Sequence, residues 1–357
     1  MFNASRLSLA RARRGMTAKV LAENAGVGVD TITRLEKGRN EPEPETIKKL
    51  GEALGYPTSF FLGDDIEEID VGAVSFRSFS KMTARERNAA IAAGSLGLLL
   101  NGWIEDRFGL PNPDFPNEIS AETDPEIAAT RLRQHWGIGQ QPIGNLLGLL
   151  ETKGVRILSL SENTASVNAF SFWRGGKPYV FLNNFKSAES SRFDAAHELG
   201  HLVLHRHGDP KGDRSLEKEA NSFASAFLMP ADDLRARVPR LISTEVILKA
   251  KLRWRVSAMA LAYRLHHIGR LSAWQYKSIC IDLSRRGYRS GEPIGIERET
   301  SVLWKKVLTI LWQERITRDH ISEELGLPID ELDSLIGSMT GTERGGRSIV
   351  RGSLNVV

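Results

Sequence analysis

The segment His197-Glu198-Leu199-Gly200-His201 constrains this 357-residue chain more than any other. Positions i and i+4 share one face of a helix, so a helical turn here brings both imidazoles to one ion and aims the intervening Glu198 at a water held there. The surroundings read as a helix. Ser191 and Asp194 form a candidate capping arrangement, Phe193, Ala196, Leu199 and Val203 are apolar, and Gly200 lets a neighbouring element approach closely. Four of the eight histidines, at 197, 201, 205 and 207, fall within eleven residues. His205 stands one turn beyond His201, where it could support that ring from behind. His207, His266 and His267 read as ordinary histidines.

A catalytic zinc needs a third protein ligand and an open fourth position. The next helix, Ser215 to Met229 before Pro230, has an apolar stripe through Leu216, Ala220, Phe223, Ala224 and Phe227. Glu217 and Glu219 flank that stripe at similar angles, and periodicity leaves both open as ligands. With zinc in place, Glu198 is the candidate general base, and it would return the proton to the leaving amine.

The amino terminus carries a second pattern. Short helices are punctuated by Thr17 as a cap, by Gly26 and Gly28 in a turn, by Asp30 or a neighbour opening the third helix, by Gly38 closing it, and by Pro42 and Pro44 before the fourth. Small Ala22 and Ala25 permit a close crossing of two helices, and Val27, Ile32 and Leu35 supply the buried side. Gly28, Val29, Asp30, Thr31, Thr33, Arg34 and Lys37 are left facing outward, suited to base edges and phosphates in a major groove. The segment Ile316 to Met339 has comparable spacing but lacks a basic second helix.

Between and beyond these units the pattern is mixed. A helix is expected over 83–107, a Pro-rich connector around Pro111, Pro113 and Pro116, and helices to Trp136 and from Pro142 to Lys153. Strands are expected at Val155–Leu160, Val167–Trp173 and Pro178–Leu182, the last two joined by a Gly175-Gly176 hairpin turn. Helices follow at 191–206 and 215–229, ended by Gly208 and Pro230, and the chain is then mainly helical to about 338, before a tail expected to be mobile. The fold class is α+β, mainly helical. Its parts are an all-α helix-turn-helix domain over 1–65, a connector with one helix over 66–120, a zincin-like domain with a small sheet over 121–240, and a helical region over 241–357. The last hairpin strand is a candidate edge for an extended substrate.

Composition sets the outer bounds. Hydrophobic residues make up 41% and charged residues 26%, which excludes a disordered chain. A net charge of +4 permits an anionic partner without requiring one. The single cysteine, Cys280, excludes an internal disulfide framework and a Cys-rich zinc ribbon. The apolar run Ala89–Ile104 is broken by Gly94, Ser95, Gly97, Asn101 and Gly102 and is too short and polar to span a bilayer, so a cytoplasmic location with no membrane partner is expected.

Two resemblances sharpen these readings. The string Thr17 to Leu54, with Ala-Gly-Val at 25–27 and Ile-Thr-Arg-Leu-Glu-Lys-Gly at 32–38, resembles the Xre (Cro and CI repressor-like) helix-turn-helix family. That resemblance implies sequence-specific binding to duplex DNA, usually as a homodimer. Ala18 and Lys19 stand where members often carry Gln, leaving Lys19 to reach a phosphate. His-Glu-Leu-Gly-His-Leu-Val-Leu-His, followed by Glu-Ala-Asn-Ser-Phe-Ala and Leu-Met-Pro, is similar to the ImmA/IrrE metallo-endopeptidase family, with further likeness at Phe76-Arg77, Pro142–Gly154 and Trp254–Gly269. This second resemblance implies Zn2+ as cofactor, His197, His201 and Glu219 as its ligands, and a protein substrate such as a repressor or antitoxin. The competing expectation is a non-enzymatic regulator using the same domain as a sensing or dimerisation scaffold. A third is self-cleavage at the connector.

Overall fold

The computed structural model describes residues 1–70, 74–76, 82–119, 123–160, 169–183, 186–206 and 214–340. Arg77 of the connector motif, the expected strand start at Val167, His207, the helix stop at Gly208 and the tail beyond 340 lie outside the described residues.

The amino-terminal unit is four helices, α1 (Ala4–Arg13), α2 (Ala18–Ala25), α3 (Val29–Glu36) and α4 (Pro44–Leu54), followed by a 3-10 turn over Thr58–Leu62. Thr17 caps α2 by accepting from Val20 N, and Gly26 takes the left-handed conformation that ends it. The cap of α3 is Gly28, with Asp30 in its first turn, and Pro44 is the first residue of α4.

The rest is a sheet enclosed by helices. The elements are β1 (Ser75–Phe76), α5 (Ala84–Glu105), α6 (Pro125–His135), α7 (Leu146–Thr152), β2 (Arg156–Leu160), β3 (Ala169–Arg174), β4 (Lys177–Asn183), α8 (Ala188–Leu204) and α9 (Arg214–Leu228). They continue as α10 (Ala231–Arg237), α11 (Thr244–Trp254), α12 (Ala258–His267), α13 (Ala273–Arg285), α14 (Val302–Gln313), α15 (Arg318–Leu325) and α16 (Ile329–Thr340). The strand order is β1-β3-β4-β2, with β2 parallel to β4 and the other pairs antiparallel. Gly175 and Gly176 turn the β3–β4 hairpin at φ 54° and 74°, where a side chain would be strained. The hairpin strand β4 has β3 on one side and β2 on the other, so the substrate edge expected at Pro178–Leu182 is not free; the fourth strand, from the connector, lies on β3 instead.

Strand alternation sorts the sheet into two faces. Phe170 and Phe181 stack at 4.6 Å between centroids, with Phe172 and Tyr179 beside them. This aromatic face is covered by α5, whose Gly97 has no room for a Cβ, since one would stand 2.6 Å from Phe181. Gly97, together with Gly94, whose Cβ would stand 3.4 Å from Phe170, therefore lets α5 lie close on the sheet. The opposite face, with Ser171, Trp173 and Val180, meets α8. That helix starts at Ala188, with Ser187 Oγ accepting from Ser190 N at 3.2 Å. The capping arrangement expected of Ser191 and Asp194 is corrected: both lie inside the helix, where Ser191 meets Arg298 at 2.8 Å and Asp194 meets Lys186 at 2.5 Å. Likewise α7 begins at Leu146 and not at Pro142, because Asn145 caps it and Glu299 accepts from Leu146 N at 2.9 Å.

The two halves pack together. Buried Glu331 of α16 receives Arg13 Nε at 2.7 Å, Arg14 Nη1 at 3.1 Å and Tyr56 OH at 3.2 Å. Thus α16 is a packing helix between β2 and the amino-terminal unit, in keeping with its lack of basic residues.

Candidate metal centre and nucleic-acid interface

The His197–His201 turn is buried where α8 crosses α9. A Cβ on Gly200 would meet the backbone of Ala220 at 3.2 Å, so the glycine sets how closely the helices approach. That contact fixes the rotation of α9, and with it the direction of each acid. Glu217 and Asn221, one turn apart and bracketing Ala220, face His197 and His201. Glu217 lies 3.4 Å from His197 Nε2 and 3.3 Å from His201 Nε2, and the three side chains offer ligand atoms all within 4.8 Å of one another. Glu219 points elsewhere, its Oε2 3.0 Å from His205 Nε2. The expectation that Glu219 joins the histidine pair is therefore corrected: Glu217 occupies that position, because two residues of helix turn a side chain by about 200°.

Hydrogen bonds behind the rings orient them. Neutral imidazole has one donor and one acceptor nitrogen, and a carboxylate only accepts. Burial holds the His205 pKa below its ordinary value despite Glu219, so the ring is neutral and its Nε2–H donates to Glu219. Its Nδ1 then accepts from His201 Nδ1–H at 3.0 Å, which leaves the His201 Nε2 lone pair facing the site. His197 Nδ1 donates to Asn221 Oδ1 at 3.1 Å with the same result. Two Nε2 atoms 3.0 Å apart and a carboxylate then converge with only lone pairs between them, an arrangement that calls for a positive charge. Without an ion, the same Nε2 atoms are the sites that take up protons. Burial pushes the Glu217 pKa up, but hydrogen bonds and charge from the rings so protonated outweigh it and bring that pKa to about 2.

Glu198 is fully buried beside this set, and Ser171 Oγ donates to its Oε2 at 2.7 Å. Sequence reasoning left Glu217 open beside Glu219, and it missed Asn221 and Ser171. The signal for Asn221 was its four-residue interval from Glu217, matching that of the histidines. For Ser171 it was a lone hydroxyl in an aromatic strand. A cavity of about 560 Å3 opens at the other end of α8 between Lys186, Phe193, Met259 and Tyr288, away from the histidines.

On the amino-terminal unit, Lys19, Gly28, Val29, Asp30, Arg34 and Lys37 are exposed, and Thr31 and Thr33 are half-buried. Thr33 Oγ1 donates to Val29 O at 3.1 Å, so this hydroxyl is engaged by its own helix. Lys19 lies 3.9 Å from Glu23. Arg11 braces α3 against α1 through Glu36 at 2.5 Å. Cationic Arg34 and Lys37 stand exposed at the carboxyl end of α3.

Comparison with known proteins places two families on these two regions. The helix-turn-helix family profile matches residues 7–61, and the profile described as IrrE N-terminal-like domain matches 150–266. The HTH-type transcriptional repressor RghR of Bacillus subtilis (strain 168) is 35% identical over 94 residues, which is 26% of this chain and 68% of that protein. No helix among the described residues is long and apolar enough to cross a membrane.

Proposed function

Because the chain belongs to the Xre-like helix-turn-helix family and carries an IrrE N-terminal-like domain, we propose that this DNA-binding regulator is also a zinc-dependent endopeptidase acting on a specific protein. A repressor or antitoxin is the proposed substrate class, with action in the cytoplasm and operator binding as a homodimer. The observation that carries the reading is the convergence of His197, His201 and Glu217, with both histidines held from behind so that their Nε2 lone pairs face inward.

Two imidazoles and one carboxylate suit zinc and leave a coordination position open. A bound zinc ion would supply Lewis acidity, polarising the scissile carbonyl and acidifying water. The remaining work falls to the chain. Glu198, held through Oε2 by Ser171, takes a proton from the attacking water and delivers it to the departing amine. Its full burial excludes bulk water from that transfer. His205 and Glu219 fix the tautomer of His201, and Asn221 fixes that of His197. At the other end, α3 enters the major groove, with Arg34 and Lys37 against phosphates or bases and Lys19 on the backbone.

Elemental analysis tests the first part, with about one zinc per chain expected and none in a His197→Ala/His201→Ala variant. Incubation with the protein encoded beside this gene tests the second: cleavage is expected, and cleavage that persists in Glu198→Gln would exclude Glu198 as the base.

A further inference from the structure

The strand β3 is bordered on one side by β4 and on the other by β1, which the connector supplies. Ser75–Phe76 of the connector run antiparallel to it. Glu67 pairs with Arg174 at one end, and Ser75 and Phe76 stand opposite Ser171 and Phe170 further down. Val74, next to them, is buried.

The same strand runs alongside the histidine helix. Ser171 bonds the Glu198 carboxylate at 2.7 Å, and Trp173 Nε1 donates to Leu202 O at 3.0 Å. Two residues of strand advance about 6.8 Å and four residues of helix about 6 Å, so the elements keep step across the turn that holds both imidazoles. An extended peptide presented to Glu198 needs a backbone edge to pair with. Both edges of β4 are taken, and the cavity of about 560 Å3 is at the far end of α8. Strand β2 stands two positions from β3 in the sheet, and Trp304 Nε1 donates to its Ile157 O at 2.9 Å; the outer edge of β3, the strand whose Ser171 bonds Glu198, carries the connector.

Resting on the peptidase reading above, we infer that Val74–Phe76 hold the substrate-strand position on β3, so that the connector competes with an incoming protein segment for access to Glu198. The excluded partner is an extended backbone, recognised by ladder hydrogen bonds on β3. A two-residue ladder is short enough to be displaced. As part of the same chain it nonetheless acts at an effective concentration on the order of millimolar, which holds off weakly binding peptides and admits a substrate with further contacts. The segment also links the DNA-binding unit to α5, so occupancy of this edge joins the two halves of the molecule.

A Ser75→Pro/Phe76→Pro variant of the full chain tests this, since one of two adjacent residues directs its N–H at the partner strand and proline removes it. In metal-free titration with a fluorescein-labelled peptide of residues 70–82, the variant is expected to bind at least about tenfold tighter than wild type. Hydrogen exchange at Ala169–Phe172 should be faster in the variant and slowed again by the peptide. Equal binding by both proteins, or faster exchange without peptide binding, overturns the inference. If the double proline fails to fold, Val74→Gly/Phe76→Gly gives the same readouts with the same criteria. Intact mass after Zn2+ addition adds a separate outcome: a cut between residues 63 and 83 that Glu198→Gln abolishes would make the connector a substrate and overturn competition. Absent zinc binding or absent proteolysis would end the peptidase reading alone, since the strand titration needs neither.

Discussion

Glu217 and Glu219 stand two residues apart on one helix, yet their carboxylates serve different histidines: Glu217 lies 3.3 Å from His201 Nε2, and Glu219 lies 3.0 Å from His205 Nε2. The first is placed to touch an ion, the second to hold a ring that holds a ring. Glu217→Ala should weaken zinc binding by more than about a hundredfold, whereas Glu219→Ala should weaken it by about tenfold. Chelator competition measures both, and the reverse order would return the ligand role to Glu219.

On the proposed peptidase reading, Ser171 positions Glu198 through their 2.7 Å hydrogen bond. Its removal should lower kcat about tenfold with little change in KM, because the hydroxyl orients the carboxylate and touches no substrate. Ser171→Thr keeps the hydroxyl in a β-branched side chain suited to a strand and should recover most of the rate. A KM change in Ser171→Ala with kcat preserved would contradict this role.

Glu331 receives two guanidinium groups and the Tyr56 hydroxyl while 1% exposed. Removing one member of a buried charged cluster strands the others, so Glu331→Gln should cost about 3 kcal/mol in a urea melt. Limited proteolysis should then cut between the helix-turn-helix unit and the sheet faster than in wild type. Unchanged stability would mean that the cluster is solvated in solution.

Glu105 sits between Arg156, at 2.9 Å, and Lys177, at 2.5 Å. Burial pushes its pKa up, but hydrogen bonds from Lys177, Arg156 and Asn101 outweigh this and hold it below the ordinary carboxylate value. A carboxylate with a depressed native pKa stabilises the fold above its unfolded value of about 4.3, and that contribution fades as pH falls through the native value. Glu105→Gln should therefore be less stable than wild type by about 2 kcal/mol at neutral pH. The gap should narrow as the pH is lowered from about 5 to about 3. A gap independent of pH would remove the ion pairs from the explanation.

Arg34 is exposed in the last turn of α3. Arg34→Ala should weaken binding to the operator and, if the contact is to phosphate, lower the salt-dependence slope by about 1. Gel-shift titrations across salt concentrations distinguish this from a base contact, which would relax sequence preference at one position while leaving the slope nearly intact. Binding unaffected at every salt concentration would place α3 outside the groove.

Much of this molecule is written locally. The four-residue interval of His197 and His201, the cap at Thr17, the left-handed glycine at 26 and the Gly175-Gly176 turn each act within a few residues, where periodicity and backbone preference decide the outcome. What lay beyond that range was settled by packing. Whether Glu217 or Glu219 faces the histidines depends on the rotation of α9 about its own axis, which the contact of Ala220 with Gly200 sets across 20 residues of chain. The pairing of Ser75 with Ser171, and the burial of Glu331 against Arg13, join positions 96 and 318 residues apart. No local propensity encodes such a meeting, because its energy exists only once the layers have closed over the sheet.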